Sequence, residues 1–378
     1  MSQSVGLLLI AKNEAHVIGR ALDSGRQLGI ESMTVVVDES TTDETVAVAT
    51  AHGAHVHVRP YLGSIAAARN EAIDLVRGAS AYTLMLDPDD VYEGHLPETL
   101  RADVYDVWVH DEGYRFPRLQ LFKTDCGVTY RGIRHEEAIA PDSATRSIAQ
   151  GLIYKRIGGG WQDSLGRRAK FLSHASDLEA WMLDHPDDGR ALLMLAQSYR
   201  DAGECELARV NYEKRIAAGG SPQERYIAAL EVAFLVEKDA TPELDAVMRA
   251  YLRAHEAAPL HAEPLFHLAS FLREKGAAAT AWHLARRAAE LSIPRGRVTI
   301  YDIEVYEWKA LAEMALTSWT LGDRGTAAQI LRRIAGSQPL YAEWAEDQLA
   351  VVMSQDSEPP ISPWGPSSRL NVTRGEDA

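Results

Sequence analysis

The feature that most limits the fold is a change of period part-way along the chain. Up to about residue 150, short apolar runs alternate with segments of helical spacing, and beyond about residue 172 only the helical spacing remains. "VGLLLIA" (5–11) is a continuous apolar run bounded by polar "KNE", as a strand buried on both faces requires. "AHVIGRALDSG" has helical spacing, and "MTVVVDES" is a second strand ending in Asp38. "TDETVAVATAHG" reads as a helix capped by Thr42 or Asp43 and stopped at Gly53. "AHVHVRP", "SIAAARNEAIDLVRG" and "AYTLMLD" continue as strand, helix and strand. Such alternation predicts an α/β domain with a mainly parallel, Rossmann-like sheet covered by helices. Ligands of these sheets sit beyond the carboxyl ends of the strands, and Asp38 and Asp87 both fall there.

The second half is Ala-, Leu-, Glu- and Arg-rich, and it repeats. "ALLMLAQSYRDAGECELARVNYEKRI", "EPLFHLASFLREKGAAATAWHLARRA" and "KALAEMALTSWTLGDRGTAAQILRRI" carry apolar and small residues at matching offsets. The paired small positions (Ala196 and Ala208, Ala269 and Ala281, Ala315 and Ala327) let two antiparallel helices approach closely. The pattern resembles the tetratricopeptide repeat, an all-α helical array. A degenerate unit ending "AYLRAHEAAP" lies between. The expected divisions are 1–171 for the sheet domain, 172–353 for the repeats and 354–378 for a Pro- and Ser-rich tail, expected to be disordered.

Composition narrows the class. The chain has 378 residues, too many for one ordinary core, and 46% are hydrophobic against 25% charged. A net charge of −15 argues against binding nucleic acid or anionic lipid by overall charge. Basic residues nevertheless crowd two stretches, Arg115 to Arg134 and Lys155 to Lys170. The two cysteines, Cys126 and Cys205, have no metal-ligand spacing and form no disulfide framework. No segment has the length of a membrane span, and the N-terminus lacks a signal-peptide pattern, so a cytoplasmic location is expected.

"AYTLMLDPDDVYEG" (81–94) ends an apolar run in Asp87, Asp89 and Asp90. Three carboxylates so close repel one another unless a positive group lies among them. A DxD stretch on a loop supplies hard oxygen ligands for Mg²⁺ or Mn²⁺, which take carboxylates together with phosphates. The alternative is an acidic surface turn.

Four pieces in order, "LLLIAKNEAHVIGRAL", "VVVDESTTDETVAVA", "AAARNEAID" and "YTLMLDPDD", resemble the nucleotide-sugar-binding half of a family 2 glycosyltransferase of the GT-A fold. "RLQLFK…VTYRGIRHEEAI" is similar to that family's acceptor-side segment, and the repeats resemble the helical extension of a subgroup. The resemblance implies transfer of a sugar from a nucleotide-sugar, with UDP the expected nucleotide, to a hydroxyl of a larger acceptor, with inversion and metal assistance. Peptide, glycan and modified DNA are all open as acceptor. By the same resemblance Ala11, Lys12, Asn13 and Glu14 line the nucleotide pocket and Asp38 meets the base or ribose. Arg69 and Asn70 face the diphosphate or sugar. Asp87 and Asp89 contact ribose and a divalent cation, Mn²⁺ or Mg²⁺. Asp90 is a further ligand or sugar contact. Glu136 is the expected base and His135 a metal or diphosphate contact, or the acid–base group itself.

Two departures from the family pattern stand out. "DESTTD" lacks the glycine usual after the second strand, and "IYKRIGGGW" places Lys155 or Arg156 where relatives carry a histidine. Either cation is expected to hold diphosphate directly, and Gly158 to Gly160 reads as a mobile lid whose Trp161 stacks on the sugar or base of the donor, or as an interdomain linker. The repeats are expected to dock the acceptor, a protein partner or a second copy of the chain as a homo-oligomer, and the competing class is a tetratricopeptide scaffold that binds peptide and whose transferase half is inactive. A nucleotidyltransferase is disfavoured because a Gly-rich basic loop after the first strand is absent.

Overall fold

A computed structural model describes residues 3–111, 114–134, 136–160, 166–294 and 302–354. His135, Trp161 and the tail 355–378 therefore lie outside the described residues. The chain divides into two compact units, Met1–Ala208 and Arg209–Ala378.

The first unit opens with β1 (Val5–Ala11), α1 (Ile18–Gln27), β2 (Ser32–Asp38), α2 (Thr45–Ala51), β3 (His55–Arg59), α3 (Ile65–Leu75) and β4 (Tyr82–Met85). β1 pairs in parallel with both β2 and β4, and β2 with β3. Each expected strand is present: the apolar runs of β1, β2 and β4 are buried, whereas β3, at the sheet edge, stays partly exposed. The helix caps differ in detail from expectation. α2 begins at Thr45, and Asp43 accepts from the Thr45 amide at 3.0 Å. α3 is capped by Ser64, whose hydroxyl accepts from the Ala67 amide at 3.1 Å.

After β4 the topology turns partly antiparallel. β5 (Val91–Gly94), β6 (Val104–Asp111), β7 (Tyr114–Lys123) and β10 (Arg146–Lys155) complete an eight-stranded sheet of order β3-β2-β1-β4-β7-β6-β10-β5. β7 runs antiparallel to β4 and β6, while β10 is parallel to β6. β8 (Thr129–Arg131) and β9 (Glu137–Ile139) form a separate ribbon. The carboxyl ends of β1, β2 and β4 thus open on one edge, with the β8–β9 ribbon tied to α3. Both amide atoms of Asn70 bond the Tyr130 backbone, at 2.9 and 2.6 Å.

Helices follow from Arg167, close to where the sequence changes period. α4 (Arg167–Asp184) and α5 (Gly189–Asp201) group with the sheet, and Arg134 Nε donates to Asp177 of α4 at 2.8 Å. α6 (Cys205–Ala217) crosses the division between the units. The second unit continues with α7 (Pro222–Glu237), α8 (Leu244–Ala257), α9 (Glu263–Glu274), α10 (Ala278–Glu290), α11 (Ala310–Thr320), α12 (Arg324–Ser337) and α13 (Ala342–Met353). The second and third repeats are the hairpins α9–α10 and α11–α12, and α7–α8 is the degenerate unit between. Ala269, Ala281, Ala315 and Ala327 are buried, as close helix approach demands. Among the described residues no helix is long and apolar enough to cross a membrane.

Candidate active site

At the open strand ends, Arg69 joins three segments that are far apart in the chain. Its Nη2 donates to Asp87 Oδ1 at 2.5 Å and its Nε to Glu136 Oε1 at 2.7 Å. The guanidinium is buried, and the Tyr130 ring lies 5.1 Å from it. Asp87 Oδ2 accepts from the Tyr154 hydroxyl at 2.6 Å and faces Arg118 Nη2 at 3.4 Å. Arg118 in turn stacks over the Tyr154 ring at 4.3 Å. Burial alone would raise the Asp87 pKa, but the charges of Arg69 and Arg118 outweigh it and hold the carboxyl well below the usual range. Both arginines are held charged: burial opposes this, but Asp87 with Glu136 for Arg69, and Tyr154 with Asp87 for Arg118, outweigh it.

Asp90 performs a different task from Asp87. Buried, it accepts from Tyr154 at 2.7 Å and from the amides of Ile157 and Gly158 at 2.8 and 3.3 Å. Arg20 of α1 donates to the carbonyls of Asp89 and Gly158, and His16 Nε2 donates to Gly159 O at 2.7 Å. Residues 157–160 are therefore laced to the acidic loop and to the start of α1. A methyl group on Gly160 would come within 2.9 Å of Asp89 Oδ2 and 3.2 Å of both Glu14 carboxylate oxygens. The two acids therefore converge on Gly160, and a side chain there would push their carboxylates aside.

The nucleotide-side loops brace each other. Asn13, the only described non-glycine residue at positive φ (54°), accepts from the Thr42 amide at 2.8 Å. The Glu14 amide donates to Thr45 Oγ1 at 2.8 Å, and the Ala15 amide to Asp43 at 3.0 Å. Ala11 ends β1 opposite Val37. Asp38 accepts from the Ser40 amide and hydroxyl at 2.8 and 2.6 Å and lies 3.5 Å from Lys12 Nζ. Burial raises its pKa, and these partners more than reverse the effect. No residue of 38–45 has positive φ, so the loop needs no glycine.

Of the candidates named from sequence, Ala11 to Glu14, Asp38, Arg69, Asp87, Asp89 and Glu136 all belong to this edge. Asn70 faces it through α3, with its amide bonded to Tyr130. Lys155 pairs with Glu93 at 2.8 Å, and Arg156 with Asp111 at 2.7 Å, rather than with the acidic loop. Sequence reasoning did not single out Tyr154, Arg118 or Arg20. A signal was present: Arg118 interrupts the apolar strand "RFPRLQLF", where a buried charge demands a partner. Three buried donors here, Arg20 Nε, Arg118 Nε and the Tyr130 hydroxyl, have no hydrogen-bond partner among the described residues. Burial pushes the Tyr130 pKa up to about 12, so the hydroxyl keeps its proton. Orphaned donors of this kind mark a place where an acceptor-rich ligand fits.

The residues fit a divalent cation only in part. Both Asp87 oxygens are engaged by arginine or tyrosine, and both Asp90 oxygens by amides or tyrosine. Among the described residues no cluster of three His, Cys, Asp or Glu side chains could hold a metal ion. Asp89, beside Glu14, is the carboxylate whose position suits a cation that takes its remaining ligands from a diphosphate.

Acids and arginines thus gather at the open strand ends of an α/β sheet, where ligands of such sheets bind. Residues 7–104 match the model of glycosyl transferase family 2. Uncharacterized glycosyltransferases of Rickettsia align with parts of the chain. The Rickettsia felis protein is 41% identical over 63 residues, 17% of this chain and 22% of its own length. That of Rickettsia prowazekii is 38% identical over 139 residues, 37% of this chain and 44% of its own length. A TPR repeat-containing protein of Synechococcus elongatus is 25% identical over 307 residues, 75% of this chain and 74% of that protein. This alignment and the internal repeats agree on tetratricopeptide-like repeats in the C-terminal half. A crystal structure of MamA overlays with a TM-score of 0.37 at 15% identity, covering 48% of this chain and 91% of that one.

Proposed function

We propose that the chain transfers a sugar from a nucleotide-sugar, with UDP as the nucleotide, to a hydroxyl of a larger acceptor. The observation that carries this reading is Arg69, which gathers "ARN", the acidic loop and the "HEE" segment at one point. Asp38 and the braced loop 11–14 receive the nucleoside. Arg69 and Arg118, arrayed by Asp87, offer fixed positive charge where the diphosphate gains negative charge on departure. The Arg118 Nε and Tyr130 hydroxyl donors, orphaned in this structure, find acceptors in diphosphate oxygens.

Glu136 has one oxygen on Arg69 and the other without a partner among the described residues. The acceptor hydroxyl forms a bond to the anomeric carbon as the bond to the diphosphate oxygen breaks. Its proton passes to Glu136, and a single displacement inverts the centre. A divalent cation held by Asp89 and the diphosphate supplies additional charge neutralisation when bound. The repeats present the acceptor or a protein partner. UDP release from a panel of UDP-sugars, with and without Mn²⁺, tests the proposal. A chain that binds no UDP and turns over no donor is instead a scaffold with an inactive transferase domain.

A further inference from the structure

The sheet carries a second set of basic side chains, on the face opposite Tyr154. Successive residues of a strand project to opposite faces, so Tyr154 and Lys155 of β10 serve different surfaces. Lys155 lies beside His110 of β6, and His110 lies directly opposite Arg115 of β7. The register thus sets Lys155, His110 and Arg115 in one row across three adjacent strands. Strands lie about 4.8 Å apart, so the row spans only roughly 10 Å.

Like charges at such spacing are unfavourable on a sheet, and compensation here is incomplete. Lys155 has Glu93, at 2.8 Å. Arg115 has no carboxylate partner among the described residues and lies over the Trp108 ring at 4.9 Å. Its Nε is buried without a hydrogen-bond partner, and so is His110 Nε2. Burial, with the charge of Arg115, lowers the His110 pKa, so His110 stands neutral between two cations. In a chain of net charge −15, an uncompensated arginine braced on an aromatic ring beside two further nitrogen groups is shaped for an anion.

We infer that Arg115, His110 and Lys155 form a phosphomonoester subsite, on the sheet face opposite the Asp87 cluster, that receives a phosphate group carried by the acceptor. The acceptor assignment rests on the transferase reading; the anion site does not. A dianion suits the row better than a carboxylate does, because two cations and a neutral imidazole converge on it. A nucleic-acid strand suits it less, because the row is short and Glu93, paired with Lys155 at one end, would repel a further phosphate.

The test is titration of the full chain with inorganic phosphate and with methyl phosphate, followed by calorimetry, in the absence and presence of saturating UDP. Binding measured with UDP present is expected to survive. It should weaken about tenfold in Arg115→Gln, which removes a charge-assisted contact, and less in Lys155→Met. Unchanged melting temperatures in both variants keep the comparison clean. The inference is overturned if UDP displaces phosphate, if Arg115→Gln binds phosphate as the parent chain does, or if no phosphate binds. Tighter binding of a short oligothymidylate than of methyl phosphate overturns it in favour of nucleic acid. A chain that releases no UDP from any donor but loses phosphate on Arg115→Gln sinks the transferase reading and leaves the anion site standing.

Discussion

Arg69 in the sheet unit and Arg273 in the helical unit are both buried arginines, and they are built for opposite ends. Arg273 meets Glu313 through two bonds, at 2.6 and 3.2 Å, and Glu313 is fully buried. The pair is closed: each group satisfies the other. Arg69 divides its fork between Asp87 and Glu136, whose side chains keep 22% and 11% of their exposure, and orphaned donors sit nearby. A closed pair helps define one packing of two helices, whereas an open one keeps hydrogen-bonding capacity for something that arrives.

The sharpest way to break this contrast is Asp87→Ala. Releasing Arg69 and Arg118 from their shared anchor is expected to lower UDP-sugar turnover about 10²- to 10³-fold, the size of losing an oriented charge-stabilising group. Glu313→Gln, assayed alongside at a temperature where it is folded, should leave turnover unchanged. Equal losses in both would erase the distinction.

Next in size is the stability of the closed pair. Arg273→Met leaves Glu313 buried without the guanidinium that takes both its oxygens, and should cost about 3–5 kcal/mol in denaturant unfolding. Arg273→Met/Glu313→Leu should recover most of that, since an apolar replacement of both partners is close to neutral. If the double variant is as unstable as the single one, the pair is not the closed unit described.

A smaller effect concerns His267, buried beside Phe234, Tyr251 and Phe266. Burial, reinforced by Lys309, lowers its pKa from 6.5 to about 3. The folded state holds it neutral while the unfolded chain protonates it, so its contribution is complete above pH 6.5. Stability then falls as pH drops from 6.5 towards 3, by up to about 1.4 kcal/mol per unit. Melting curves at pH 7.5 and 5.5 should show a steeper acid loss in the parent chain than in His267→Gln. Parallel curves would show that the ring is not held neutral.

The smallest change is expected at Arg253, whose pair with Glu213 at 2.8 Å is exposed on both sides. Arg253→Met should alter stability by about 0.2–1 kcal/mol, less at high salt. A loss as large as that of Arg273→Met would mean that exposure does not govern these pairs.

The first four strands and the paired alanines of the repeats were legible because each depends on local pattern. Asp38 and Asp87 were legible because strand ends are where such sheets open. Tyr154, Arg118 and Arg20 were not, because β10, β7 and α1 bring them to partners 31 to 138 residues away, at separations that no local period reports. From the sequence, Asp87 groups with Asp89 as ribose and cation contacts, and Asp90 stands beside them as a further ligand or sugar contact. Folding separates them: Asp87 arrays arginines, Asp90 holds the amides of residues 157 and 158, and Asp89 turns towards Glu14 and Gly160. The missing glycine of "DESTTD" proved to need no compensation, since Ser40 turns the chain against Asp38 without a left-handed residue.

One consequence follows from β10, which is irregular between Ile148 and Ile153 before it delivers Tyr154 to one surface and Lys155 to the other. Deleting a single residue at 149–152 would bring Lys155 to the place of Tyr154 against Asp87, whereas inserting one would bring Tyr154 to the place of Lys155 beside His110. Length variation in that segment should therefore be tolerated in steps of two, and lineages of such chains are expected to differ there by even numbers.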